Sequence, residues 1–168
     1  MNPEQELERG HSRQQTDKIA AWIGKNRRRF AGLFVIFQSG RPLLQQRAGW
    51  VVSCCCETHP QLILPHFPEL LALARVPGVP EAVPRNIFRI LSMCPLPEER
   101  HSEIYDAALG TAGDAASPAA VKAYAITVLR RLTDLYPELL EEVRLSLKEL
   151  RPGAGAAVLS RLRREFSL

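Results

Sequence analysis

The clearest hydrophobic pattern in this chain lies in SPAAVKAYAITVLRRLTDLYPEL, residues 117–139. Val121, Ala125, Val128, Leu132 and Leu135 follow one another at spacings of four, three, four and three, so they share one face of a helix. In PLLQQRAGWVVSCCCETHP, residues 42–60, the matching face is Leu43, Arg47, Trp50 and Cys54. Ala48, Val51 and Cys55 follow one residue round. Apolar or small residues on both faces predict a helix buried between neighbours, with Trp50 in the core. Gly24, Gly40, Gly78, Gly110, Gly113 and Gly153 follow apolar runs, as helix-ending glycines do. Pro42, Pro60, Pro80, Pro97, Pro118, Pro137 and Pro152 stand near the starts of other runs, where a missing N–H costs little. Thr16 and the pair Ser117-Pro118 are read as helix starts.

This punctuation predicts a capping helix over 16–24, then four helix pairs: 26–38 with 42–58, 62–75 with 80–93, 98–110 with 118–136, and 138–150 with 154–166. Residues 1–12 are expected to form a disordered tail, and residues 13–168 a single domain. The second helix of each pair carries a cation near its start: Arg47, Arg85, Lys122 and Arg161, at intervals of 38, 37 and 39 residues. Trp50, Phe88 and Ala125 follow three residues later at the same period. ETHPQLILP and DLYPELLEE also end two of these helices alike. A period near 38 in an all-helical chain implies stacked helix pairs.

The cation opening each second helix, with TDKIAAWIG, QRAGWVVS, HPQLILP, RNIFRIL, AAVKAYAITVL and YPEL in this order, resembles HEAT-repeat proteins. The chain looks most like a family of small bacterial HEAT-like proteins without an established activity. The resemblance implies an all-α fold, a short α-solenoid of antiparallel helix pairs. Pro84 departs from the pattern and fits only in a helix's first turn. In ordinary HEAT repeats the arginine pairs with an aspartate about six residues earlier. Here Arg41, Val79, Ala116 and Gly155 occupy those positions, with no acid among them.

The missing acid leaves two expectations for the basic column. Glu57, Glu81 or Asp134 pair with it across helices, or it lines a concave face with Arg89 beside it. In the second case it would hold an acidic protein or peptide. Arg27, Arg28 and Arg29, in KNRRRF, are a solvated face or a phosphate contact. A net charge of +4 over 168 residues permits an acidic partner without demanding nucleic acid. The charge is uneven, with nine acids and four Lys/Arg in residues 94–143.

The alternative function is nucleic-acid binding, or the base excision of the HEAT-like DNA alkylation-repair proteins. Those enzymes need an acid in register with the groove, and none stands in register here. Cys54, Cys55 and Cys56 in one helix point about 100° apart and cannot converge on zinc. They are read as core, with redox sensing as the lesser option. His11, His59, His66 and His101 are scattered, and no motif of nucleophilic or phosphate chemistry occurs. No metal, cofactor or catalytic residue is therefore expected, and catalysis is left open without being favoured. The absence of a long apolar run argues against a membrane span. Four cysteines without a secretory leader point to the cytoplasm.

Overall fold

A computed structural model describes all of residues 1–168. The chain is all-α, with ten helices and no strand. The helices gather into two compact units, residues 1–95 and 96–168. The sequence pattern had suggested a single domain beginning at residue 13.

The first unit holds α1 (Pro3–Arg9), α2 (Arg13–Ile23), α3 (Arg27–Phe37), α4 (Pro42–Thr58), α5 (Phe67–Ala74) and α6 (Ala82–Met93). Helices α2, α4 and α6 stand side by side, with α4 in the middle. Helix α3 packs against α4, and α5 against α6, to make the pairs the periodicity predicted. Pro84 falls in the first turn of α6, the one place it is tolerated.

Residues 1–12 are not a disordered tail. Helix α1 is capped by the Asn2 side chain, which accepts from the amides of Glu4 and Gln5. It packs against α2, α3 and α4 and leaves Leu7 only 2% exposed. Full burial of one leucine is worth about 1.5–3 kcal/mol. A two-turn helix is marginal by itself, so α1 depends on this packing.

Two further differences have local causes. Helix α5 starts at Phe67, because Pro60, Pro65 and Pro68 withhold amide donors; the chain before it runs as two short 3-10 turns. Ser12, not Thr16, caps α2 by accepting from the Gln15 amide at 3.1 Å, and Thr16 is buried one turn inside.

The second unit holds α7 (His101–Gly113), α8 (Ala119–Leu135), α9 (Leu140–Leu150) and α10 (Ala156–Phe166). Helix α8 packs against α7 and α10, and α7 against α9. Val121, Ala125, Val128 and Leu132 are buried as their spacing requires. Leu135 ends the stripe in solvent, 59% exposed, because α8 stops there. Ser117 turns its hydroxyl to Asp114 at 2.8 Å and does not cap α8.

The similar ends of α4 and α8 have the same geometry. The His59 amide donates to Cys55 O and the Tyr136 amide to Leu132 O, both at 2.8 Å. A 3-10 turn opens at each, with Leu62 N to His59 O and Leu139 N to Tyr136 O at 3.0 Å. The φ and ψ angles are −136° and 67° at His59, −127° and 76° at Tyr136. Proline follows both residues and favours this extended conformation before it.

Helix α4 shows the tightest packing. Ala48, Val51, Val52, Ser53, Cys55 and Cys56 are all buried. A Cβ at Gly49 would lie 2.7 Å from Phe37 Cε2 and 3.3 Å from Asn86 Nδ2. Phe37 is itself fully buried and has nowhere to move. Gly49→Ala is therefore expected to destabilise the protein by about 1–3 kcal/mol, as overpacking does. Gly110→Ala, inside α7 with open space at the Cβ, should instead stabilise by about 0.5–1 kcal/mol. Urea midpoints of the two variants check the opposite signs.

Candidate partner-binding face

The four cations of the periodic column meet different surroundings. Arg47 lies on α4, part-buried, and its Nη1 donates to Leu7 O at 2.6 Å and Glu8 O at 3.2 Å. These are carbonyls in the last turn of α1, where a cation suits the helix dipole and the orphan acceptors. Arg47 Nε is buried without an acceptor. Arg41, one and a half turns earlier, pairs with Glu4 and Glu8 of the same helix. Helix α1 thus supplies acceptors to both positions of the HEAT arginine–acid pair, each of which is an arginine here.

Arg85, the next cation, is exposed at the start of α6, and its guanidinium makes no hydrogen bond or ion pair. Four residues on, Arg89 is engaged. It donates to Ser53 Oγ at 2.8 Å and to Glu57 Oε2 at 2.9 Å, so it ties α6 to α4. Of the three acids expected to reach the column, Glu57 therefore holds Arg89. Asp134 pairs within α8 to Arg130 at 2.7 Å, and Glu81 makes no ion pair.

His11, in the link between α1 and α2, joins the Arg47 and Arg85 end of the first unit. Its ring meets Trp50 edge-on, with centroids 5.0 Å apart. Trp50 is part-buried under this contact and not in the core as expected, since its face of α4 is incompletely covered: Leu43 is 55% exposed and Arg47 only part-buried. Loss of hydration lowers the His11 pKa, and Arg47 and Arg85 lower it further. Cations, a neutral imidazole and a half-covered indole therefore share one surface. Chemically, that surface can accept a carboxylate or phosphate beside an aromatic edge.

In the second unit Lys122 is part-buried and unpaired. It lines a cavity of about 400 Å³ with Ser117, Glu149, Gly153 and Val158. Arg161 is occupied: it donates to Thr127 Oγ1 on α8 and lies 3.7 Å from Glu165 within α10. Each unit thus holds one engaged cation of the periodic series and one open one: Arg47 and Arg85 in the first, Arg161 and Lys122 in the second.

Arg27 and Arg28 are exposed without ion pairs in the first turn of α3. Arg29 leaves the group: its guanidinium lies 4.5 Å from the Trp22 ring centroid and donates to Trp22 O at 2.6 Å. Stacking of this kind is worth about 0.5–1 kcal/mol at an exposed site, so Arg29 has a local structural role.

The thiols and His101 are taken up by the packing of the chain. Cys54, Cys55, Cys56 and Cys94 are all free and buried. Burial, helped by the Cys54 thiol, pushes Cys55 up to about 12. Cys56 is raised as well, chiefly by its contact with Cys94. His101, which the spacing left without a role, has both ring nitrogens engaged. Nε2 is 3.1 Å from Leu96 O, which can only accept, so the neutral ring's Nδ1 accepts from the Tyr136 hydroxyl at 2.9 Å. No group of three or more His, Cys, Asp or Glu is placed to hold a metal ion.

Residues 3–166 match the HEAT repeat domain family. No curated protein matches the chain, and no solved structure does.

Two measurements bear on this site. The His11 ring should titrate below its ordinary value near 6.5. Its charged form is disfavoured in the fold, so its contribution to stability is full above pH 6.5 and lost as pH falls through the lowered folded pKa. NMR titration of the His11 ring in Arg85→Gln should show the midpoint moving back up, though not fully, because lost hydration is the larger cause. In native protein the four thiols should resist a thiol-reactive dye at pH 8 and react together in urea; fast labelling of Cys55 or Cys56 would contradict their burial.

Proposed function

Because the chain belongs to the HEAT repeat family, we propose that it is a non-catalytic binding protein that holds an acidic protein or peptide partner. The contact surface is the open flank of α4 and α6. The observation that carries this reading is Arg85. It repeats the position of Arg47, yet it has no acceptor where Arg47 has two carbonyls. A solvated cation at a repeat position, within electrostatic reach of His11, is available to a carboxylate. Neighbouring helices fix the spacing of these side chains, so little ordering entropy is lost on binding. Lys122 offers a second open cation within its own unit.

The binding role also agrees with the surroundings of the thiols and His101. The thiols are buried and both His101 ring nitrogens are engaged, and of the acids near Arg47 and Arg85, Glu8 is paired with Arg41. Arg27 and Arg28 are assigned as a solvated surface that adds to the long-range attraction of an anion.

Anisotropy with a fluorescein-labelled oligo-glutamate peptide tests the reading. Arg85→Glu should weaken binding by about tenfold or more, the equivalent of about 1.4 kcal/mol, with the helical circular dichroism unchanged. An unaltered affinity would remove Arg85 from the surface and the reading with it. A single-stranded oligonucleotide, titrated alongside, separates the nucleic-acid alternative. Tighter binding of the oligonucleotide, with a steep salt dependence, would replace the protein partner by nucleic acid.

A further inference from the structure

We propose that α1 is a resident, displaceable ligand of this surface, and that the partner is an acidic amphipathic helix that takes its place. The inference rests on the binding role proposed above and goes on to name the partner's form and the regulation of the site. It starts from a mismatch within the first repeat. Arg41 and Arg47 are both cations where the family pattern pairs a cation with an acid. Their negative complement comes from outside the repeat, from α1. Glu4 and Glu8 pair with Arg41. The last-turn carbonyls of α1 accept from Arg47. Glu6 faces the other way, held by Lys18 at 2.8 Å, by Gln15 at 2.7 Å and by Arg9. The Lys18 bond, then the Gln15 bond, keep the Glu6 carboxyl below its usual range. Leu7 is the one apolar side chain that α1 buries.

Every feature of this docking belongs to a short peptide. It has one apolar anchor, acids on two sides and a carboxyl-terminal turn set against an arginine. The helix spans seven residues, too few to persist unsupported. Extended backbone at Gly10, with φ 176° and ψ 173°, joins it to the rest of the chain. Release of α1 opens the Leu7 seat and frees Arg41 and Arg47 next to Arg85, which is already open. The surface would then offer three cations and an apolar socket. An acidic helix of greater length can reach Arg85 as well, which α1 does not, and this extra contact lets it win against a tethered competitor. A segment that undocks in a minor state populated at 0.1–10% lowers the apparent affinity for the partner by about ten- to a thousandfold. Helix α1 therefore sets the threshold for binding.

The test uses the full chain and a fluorescein-labelled peptide of residues 1–12, MNPEQELERGHS, as the probe. Leu7→Asp removes the resident anchor, and Glu4→Lys with Glu8→Lys removes its ion pairs, so the second variant serves if the first fails to fold. Each should keep the helical signal of the remaining nine helices. Each should bind the peptide at least about tenfold more tightly than the unmodified chain does. Adding Arg41→Glu to Leu7→Asp should abolish the gain. Equal affinity of the unmodified chain and both variants, or no binding to any of them, overturns the proposal. The Arg85→Glu result with oligo-glutamate is scored separately. If Arg85→Glu weakens that probe while the α1 variants change nothing, the binding role stands and the resident-ligand proposal falls. If Arg85→Glu has no effect, the binding role itself falls.

Discussion

The packing of α4 is the constraint on which the first unit depends. This helix is in contact with α1, α2, α3 and α6, so its sequence has almost no free side. The requirement explains the residues that first look like chemistry. Three consecutive cysteines supply small apolar volume at buried positions of the helix. Gly49 is present because Phe37 and Asn86 occupy the space a Cβ would need. Two buried polar side chains of the helix find backbone acceptors, Gln45 Nε2 at Phe37 O of α3 and Ser53 Oγ at Trp50 O.

Once α4 is enclosed, its one open flank becomes the place where charge can collect. A HEAT-type repeat usually closes an arginine against its own acid, and this chain does not. The two units solve the resulting excess of cations in related ways. In the first, Arg47 reaches carbonyls at the end of α1, and Arg89 reaches Ser53 and Glu57. In the second, Arg130 and Arg144 donate to Glu165 O and Phe166 O at the end of α10, while Arg161 reaches Thr127. Arginine is suited to this task, since its fork can serve two acceptors at once and it stays charged. The terminal helix of each unit is therefore held by its carboxyl-terminal carbonyls. Of the four periodic cations, Arg85 and Lys122 are the two left without an acceptor, and so they carry the case for an external partner.

Much of the architecture was legible from periodicity. The boundaries of α3, α4, α8 and α10 lie within two residues of the pattern's reading, because glycine, proline and the apolar stripe all agreed there. The repeat of His59 and Tyr136 was visible as two similar strings, and the equal hydrogen bonds at both sites give it a physical meaning. Helix α1 was missed for an equally physical reason. PEQELER has one apolar residue in seven and no amphipathic period, so nothing local separates it from a charged tail. Its order comes from Arg41, Arg47 and Lys18, which are distant in sequence. The Trp50 assignment failed in the opposite direction. A tryptophan on an apolar helix reads as core, and only the packing of the neighbouring helices decides otherwise.

The sequence by itself determined the class of fold, the spacing of the cations and the packing role of the cysteines. Each of these follows from local rules: helical period, donor loss at proline and the divergence of adjacent side chains on a helix. Which cations are free was decided only in three dimensions. Arg47 and Arg85 occupy equivalent places in the repeat and differ only in whether the end of another helix lies within reach. Charge pairing depends on distances of about 3–4 Å between residues tens of positions apart, and spacing along a chain carries no record of those distances until the helices have packed.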